Sequence, residues 1–154
     1  MSETSNHLHG IIPPVITPLD DNGKFDVESA KRLYQFHIDA GVHGLFLFGS
    51  SGEGPHLSNL DRTTAVTTAV AVAAGRVPVL VGLMDAGTDR CILSGKIAKD
   101  QGADIAVVAP PFYFAVAQPE VETHFRMIRE AVDLPIMAYD IPQTTKIKIE
   151  LETM

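Results

Sequence analysis

The clearest candidate for chemistry in this sequence is the loop at residues 49–54, which reads Gly-Ser-Ser-Gly-Glu-Gly. Its glycines allow the backbone to approach a ligand closely, and its adjacent serines add two hydroxyl groups. Successive free N–H groups in such a loop suit a small carboxylate or phosphate. A tight turn that binds nothing explains the same residues equally well, because Gly-Ser turns are common. Both interpretations are open from the loop alone.

The segments on either side of this loop predict its place in the fold. Residues 45–48 form a short, wholly apolar run, which is typical of a strand buried on both faces of a parallel sheet. Ser58 and Asp61 have the spacing of a helix cap, so a helix follows the loop. The loop therefore leaves the carboxyl end of a parallel strand, where α/β proteins place their chemistry.

The same alternation of apolar runs and helical periods continues along the chain. We predict strands at 10–18, 45–48, 77–83, 104–109 and 134–139, and helices that begin at Asp26, at Ser58, at Thr88 or Asp89, and at Pro119. Prolines make the first of these strands irregular or an edge strand. This order predicts an α/β protein with a parallel sheet, built either as an open doubly wound sheet or as a (β/α)8 barrel.

The barrel is the favoured architecture. The sequence has no Gly-x-Gly-x-x-Gly after its first strand and no Walker lysine, which weakens the doubly wound alternative. A barrel needs eight βα units and typically about 250 residues, so five strands cannot close one. Residues 145–154 look like the entry to another helix. We expect a TIM barrel of which residues 10–154 supply about the first five strands and four helices, preceded by a flexible segment at 1–9.

Composition narrows the class of protein further. The net charge is −7 without any cluster of lysine and arginine, which argues against a nucleic-acid surface. The single cysteine, Cys91, excludes an internal disulfide framework and fits a reducing compartment. No apolar segment reaches the roughly 20 residues of a membrane span, and the polar first residues lack the core of a signal peptide. We expect a cytoplasmic protein that binds neither nucleic acid nor membrane.

Four motifs in register resemble one family of enzymes. They are Gly-Ser-Ser-Gly-Glu at 49–53, Thr-Pro at 17–18, Pro-Phe-Tyr at 111–113 and Tyr-Asp-Ile-Pro at 139–142, each at the predicted end of a strand. Over residues 10–154 the sequence thus resembles the dihydrodipicolinate synthase / N-acetylneuraminate lyase family of class I, lysine-dependent aldolases. The resemblance implies a (β/α)8 barrel and a lysine Schiff base formed with pyruvate or another 2-keto acid.

The resemblance also implies roles for particular residues. The family pattern assigns the substrate carboxylate to Gly49, Ser50, Ser51 and Gly52, and the proton relay to Tyr139, Ser50 and Tyr113. A neighbouring subunit lends the second tyrosine in the family, so we expect a homo-oligomer, either a dimer or a tetramer. The Schiff-base lysine of the family lies on the sixth strand, beyond the end of this chain. We expect no metal or other cofactor.

Several of these residues also have a simpler structural explanation. Tyr139 can be a packed aromatic with a bonded hydroxyl, and Tyr113, between two phenylalanines, can belong to an aromatic plug or an interface patch. We interpret Glu53 as an acceptor for loop N–H groups and Cys91 as a small apolar residue. The six histidines are scattered without the spacing of a metal site, and His124 is interpreted as a satisfied packing or surface residue.

One departure from the family pattern concerns the substrate. Two residues after Tyr-Asp-Ile-Pro, the synthase branch usually places an arginine that binds a second carboxylate, and this chain has Thr144 there. Without that bidentate donor, an aldolase or dehydratase for a keto sugar acid is favoured over dihydrodipicolinate synthase. A catalytically inactive family member that keeps keto-acid binding or an interaction role is the alternative.

Overall fold

The computed structural model of the protein describes residues 8–154, in which helices alternate with short strands. In order, the elements are α1 Val27–Asp39, β1 Leu45–Leu47, α2 Asn59–Ala73, β2 Val79–Gly82, α3 Thr88–Asp100, β3 Ile105–Val108, α4 Gln118–Ala131, β4 Ile136–Ala138 and α5 Pro142–Thr145. Short 3-10 helices lie at Ser50–Gly52, Gly54–His56 and Leu151–Thr153. Most of the predicted flexible segment 1–9 lies outside the described residues. No helix within 8–154 is long and apolar enough to cross a membrane.

The strands form one parallel sheet in the sequential order β1-β2-β3-β4. Leu45 pairs with Val79, Leu80 with Ile105, and Ala106 with Ile136. Sequential order in a parallel sheet is the arrangement of a barrel segment, whereas a doubly wound sheet reverses its order part-way. The topology therefore confirms the predicted parallel sheet and its strand order.

The first predicted strand, at 10–18, is not a regular strand of this sheet. The segment runs beside β1, where the N–H of Val15 donates to the Phe46 carbonyl at 2.9 Å and the N–H of Phe46 donates to the Pro13 carbonyl at 3.2 Å. Within the described residues its pairing with β1 is a single isolated parallel bridge between Pro14 and Phe46. Proline has no N–H to give, so Pro13, Pro14 and Pro18 interrupt the ladder. The prediction of five strands is corrected to four.

Side chains of alternate strand residues lie on opposite faces of the sheet and form one apolar layer on each face. The layer beneath the helices includes Leu45, Leu47, Val79 and Val81, and the opposite layer includes Phe46, Leu80, Ile105, Val107 and Ile141. The opposite layer lies on the side that faces the axis when such a sheet closes into a barrel. In β4, Ile136 and Met137 are half-buried and Ala138 is exposed, because no strand of the described chain covers that edge.

Side-chain hydrogen bonds explain where two of the helices begin, and the structure corrects two other predictions. Asp26 and Ser58 cap α1 and α2 as predicted, through the N–H groups of Ser29 and Asp61. Helix α3 begins after Gly87 without a side-chain cap, so neither Thr88 nor Asp89 caps it. Residues 145–154, predicted as the entry to a helix, contain only the last residue of α5 and the 3-10 helix Leu151–Thr153.

Candidate active site

A cleft of about 290 Å³ lies at the carboxyl ends of the four strands. Its walls include Gly49 and Ser50 after β1, Met84 after β2, Ala109 and Phe112 after β3, Tyr139 after β4 and Thr144 on α5. A mainly apolar cleft with a few convergent polar groups is typical of sites for small molecules. Among the six residues predicted for the site, the cleft brings together Gly49, Ser50 and Tyr139. Ser51, Gly52 and Tyr113 do not line it.

The loop after β1 presents unbonded hydrogen-bond donors beside the cleft. The N–H of Gly52 donates to the Gly49 carbonyl at 2.9 Å, and the N–H of Glu53 donates to the Ser50 carbonyl at 3.3 Å, which closes a tight 3-10 turn. Ser50 and Ser51 are the first residues of that turn, so their amides have no partner within it. Their hydroxyls are also unbonded within residues 8–154, and both side chains are exposed. These groups can bind an anion.

The glycines of this loop are needed by the protein's own packing. A Cβ on Gly52 would lie 2.8 Å from the carbonyl oxygen of Val15, and one on Gly49 would lie 2.9 Å from the Phe46 ring. The hydroxyl of Thr17 donates to the Gly52 carbonyl at 2.7 Å, which joins the Thr-Pro segment to the loop. The glycines therefore allow the loop to lie against the first segment of the chain, a role distinct from the predicted approach to a ligand.

The backbone and the ring of Tyr139 contact neighbouring residues, whereas its hydroxyl is free to bind a ligand. Its N–H donates to the Val108 carbonyl at 2.8 Å, which continues the pairing of β3 and β4. Its ring packs edge-to-face on Phe46, with 5.7 Å between the centroids. The phenol makes no hydrogen bond to residues 8–154 and belongs to a half-buried side chain on the cleft wall. The unbonded phenol differs from the simpler structural explanation of Tyr139, which was a packed aromatic whose hydroxyl is hydrogen-bonded.

Tyr113 is exposed and does not line the cleft of its own chain. Its side chain is 86% exposed, and its ring packs edge-to-face on Phe114 at 4.9 Å. Its backbone has a φ of +86°, which is an outlier for a bulky residue. Its neighbour Phe112 lines the cleft. Within one chain the structure therefore does not bring Tyr113 together with Ser50 and Tyr139.

Two acidic residues, Glu53 and Asp140, lie at or near the cleft. The predicted role of Glu53 is wrong: its carboxylate accepts no N–H of the loop within 8–154 and lies 3.6 Å from Nδ1 of His56. Asp140 pairs with Lys148 and accepts the N–H of Ile149 at 3.1 Å. Asp140 thus ties the last residues of the chain to the end of β4.

Within residues 8–154, the cleft has no lysine that could act as the amine nucleophile and no metal site. No lysine lines the cleft, and Lys99 and Lys148 instead pair with Asp133 and Asp140. Burial raises the pKa of the Cys91 thiol to about 12, so Cys91 is a poor nucleophile and behaves as a packing residue. Residues 8–154 contain no group of three histidine, cysteine or carboxylate side chains that could hold a metal ion. His7 lies outside the described residues.

His124 on α4 supports the cleft from behind. The side chain is 2% exposed, Nδ1 lies 2.9 Å from the Thr88 hydroxyl, and Nε2 lies 3.2 Å from the Ala109 carbonyl. A carbonyl can only accept, so Nε2 carries the proton and Nδ1 accepts from Thr88. The prediction of a satisfied packing histidine is confirmed. Thr88 is engaged by this bond, and α3 begins without its hydroxyl as a cap.

The burial of His124 predicts a pH dependence of stability. Burial lowers the pKa of this imidazole from its ordinary 6.5, so the unfolded chain binds more protons than the native chain below that pH. The contribution of His124 to the free energy of unfolding should therefore be constant above pH 6.5 and decrease as the pH falls from 6.5 toward the lowered pKa, by up to about 1.4 kcal/mol per pH unit. Denaturant titrations of the parent and of His124→Gln check this, because the variant should lack that slope. Identical slopes would contradict the prediction.

Comparison with known proteins identifies the family. The model of the dihydrodipicolinate synthetase family matches residues 7–154. The chain belongs to this family. An uncharacterized DapA-like lyase of Halobacterium salinarum is 36% identical over 147 residues, which cover 96% of this chain and 48% of that protein.

Solved structures of dihydrodipicolinate synthetase family members confirm the predicted fold. Dihydrodipicolinate synthase from Aquifex aeolicus superposes with a TM-score of 0.91 at 34% identity, over 96% of this chain and 50% of that one. YagE, a prophage protein of the family from E. coli K12 in complex with pyruvate, gives 0.86 at 34% identity, over 90% and 47%. The chain thus spans about half the length of the relatives it matches. Its sheet and helices match the amino-terminal part of a (β/α)8 barrel.

Proposed function

We propose that this chain forms the keto-acid-binding half of a Schiff-base-dependent aldolase, lyase or dehydratase that acts on pyruvate or a 2-keto deoxy sugar acid. The proposal rests mainly on the unbonded amides and hydroxyls of Ser50, which lines the cleft with Tyr139, and of Ser51, the next residue of the same loop. The pyruvate complex of the related YagE supports a keto acid as the ligand. The activity is proposed for a protein of the relatives' full length, of which this chain spans about half.

In this proposal, the residues of the chain hold the substrate and move protons. The amides and hydroxyls of Ser50 and Ser51 bind the carboxylate, which fixes the keto carbon in the cleft. A lysine amine from beyond Met154 attacks that carbon and forms the imine, and the carbonyl oxygen leaves as water. Tyr139, with the Ser50 hydroxyl, donates and accepts the protons of these steps. The imine then accepts the electron pair when the neighbouring bond breaks.

Tyr113 has a place in this proposal only through a second copy of the chain. The side chain is exposed and does not line its own cleft, and Phe114 beside it is 75% exposed. Such an aromatic pair suits an interface, where it can reach the cleft of the neighbouring subunit. We propose that the complete protein is a homo-oligomer, a dimer or a tetramer, and that Tyr113 completes the proton relay of its partner.

The presence of Thr144 in place of an arginine predicts which compound the enzyme uses as its second substrate. Thr144 lines the cleft on α5, and its hydroxyl is unbonded within residues 8–154. A threonine hydroxyl can donate one hydrogen bond to a carboxylate, whereas a charged arginine guanidinium can donate two parallel hydrogen bonds. We expect the complete protein to condense pyruvate with aspartate semialdehyde poorly and to cleave or dehydrate a keto sugar acid. Values of kcat/KM measured for both reactions check this, and efficient condensation with the semialdehyde would contradict it.

Trapping with borohydride tests the proposed function. The complete protein, incubated with pyruvate and borohydride, should gain the mass of one reduced pyruvate adduct on a lysine outside residues 1–154. An inactive family member would give no adduct. Turnover that requires a divalent metal, again without an adduct, would assign the enzyme to the metal-dependent aldolases and would overturn the proposal.

A further inference from the structure

Arg62, near the start of α2, is buried against Phe48 and Gly82. The residue is only 7% exposed, and its Nη2 donates to the Gly82 carbonyl at 3.1 Å. The guanidinium carbon lies 5.3 Å from the centroid of the Phe48 ring, and Nη1 lies 4.0 Å from Oδ2 of Asp85. One cation thus contacts the residue before the serine loop, the end of β2 and the loop after β2. Buried charges persist only with partners of this kind.

Phe48, the residue directly before the serine loop, has an unusual backbone. Its φ is +62°, a left-handed conformation that bulky side chains rarely adopt. The surrounding backbone is close on two sides: a Cβ on Gly82 would lie 2.8 Å from the Phe48 carbonyl oxygen, and one on Gly54 would lie 2.6 Å from the Phe48 Cβ. Arg62 contacts the ring of Phe48 and the carbonyl of Gly82. These contacts together fix the left-handed backbone of Phe48, which turns the chain into the serine loop.

We propose that Arg62 is a positioning residue, which acts through Phe48 to fix the direction of the Ser50 and Ser51 amides toward the carboxylate of the substrate. The identity of the ligand, a substrate carboxylate, rests on the proposed function. The way in which Arg62 acts rests on its contacts with Phe48 and Gly82. A left-handed residue sets the path of the backbone that follows it, and strained residues persist when their surroundings hold them. Arg62 touches neither the cleft nor the reacting atoms, so its effect is on binding geometry.

The charges near Arg62 provide a matched control. Burial lowers the pKa of Arg62, and the carboxylate of Asp85 opposes that change. Asp85 also accepts from Nε of Arg90 at 2.7 Å, but the Arg90 side chain is 68% exposed. Both arginines thus share one carboxylate, and only Arg62 contacts Phe48 and Gly82. Replacement of Arg90 removes the same charge without the contact to the loop.

The test compares Arg62→Met, Arg62→Lys and the control Arg90→Met in the complete protein. Two quantities are measured: hydrogen exchange of the segment 48–53, where the bonded amides of Gly52 and Glu53 report opening, against the rest of the chain, and the pyruvate concentration that half-saturates borohydride trapping. Arg62→Met should accelerate exchange selectively at 48–53 and raise the half-saturating concentration about ten- to hundredfold, with a smaller change in kcat. Arg62→Lys should give intermediate values, because an ammonium keeps the charge but cannot make both contacts. Arg90→Met should stay within about twofold of the parent, since an exposed ion pair contributes little.

Each outcome decides the proposal. Parent-like exchange at 48–53 and an unchanged half-saturating concentration in the Arg62 variants would overturn it, and so would exchange that rises equally throughout the chain. Arg62→Lys decides alone if Arg62→Met does not fold. If the parent gives no adduct, the proposed function fails, and exchange at 48–53 still decides whether Arg62 orders the loop.

Discussion

Replacement of Tyr139 with phenylalanine should lower kcat of the complete protein by about 10²–10⁴. The substitution keeps the ring that packs on Phe46 at 5.7 Å and the N–H that donates to Val108, and it removes only the phenol on the cleft wall. That phenol has no partner within residues 8–154, so the folding free energy should change by less than the roughly 1 kcal/mol of a typical hydrogen bond. The expected result is a large loss of rate in a protein of nearly parental stability.

The measurement is kcat together with the melting midpoint for the same variant. Tyr34→Phe is a matched control, because Tyr34 is a buried tyrosine on α1 that does not line the cleft. The control should keep parental kcat. Turnover of Tyr139→Phe within about threefold of the parent would remove Tyr139 from the proton relay.

Gly54→Ala should destabilise the protein by about 1–3 kcal/mol or more. The added methyl group would lie 2.6 Å from Cβ and 2.7 Å from the carbonyl oxygen of Phe48. Both are held by the backbone of a buried residue, so no flexible side chain can move aside. The strained turn that presents Ser50 and Ser51 should open, and pyruvate binding should weaken in the same variant.

Denaturant unfolding of Gly54→Ala against Gly87→Ala checks this prediction. A methyl group added to Gly87 would meet no heavy atom of the surrounding structure within 4 Å, and the φ of −129° at Gly87 is one that any residue can adopt. Gly87 is the residue that precedes α3, and alanine is less favourable than glycine at such an N-cap, so Gly87→Ala should cost less than about 1 kcal/mol and less than Gly54→Ala. Equal stability of the two variants would show that the close approach of Gly54 and Phe48 does not constrain the loop.

The parts of the fold that depend on local pattern could be predicted from the sequence. The apolar runs that contain β1, β2, β3 and β4 are bounded by turn residues, and each has the length of a buried parallel strand. The caps at Asp26 and Ser58 were predictable because both partners lie within three residues. The place of Ser50 was predictable because its loop directly follows an apolar strand, whereas Tyr139 was assigned through the family resemblance.

The features that depend on distant contacts could not be predicted. Thr88 has the sequence of a helix cap, but its hydroxyl bonds to His124, which is 36 residues away. Arg62 looks like an ordinary polar residue of an exposed helix, and only the packing of α2 against β2 buries it. The left-handed backbone of Phe48 has no local sign, because glycine usually marks such positions and here the glycine is the next residue, Gly49.

The central claim is that the amides of Ser50 and Ser51 bind the substrate carboxylate. The structure of the complete protein with its borohydride-reduced pyruvate adduct tests that claim most directly. The account predicts carboxylate oxygens about 2.7–3.2 Å from the backbone nitrogens of both serines, with the Tyr139 phenol beside the reduced carbon. A carboxylate bound elsewhere in the barrel, with both serine amides facing solvent, would contradict it.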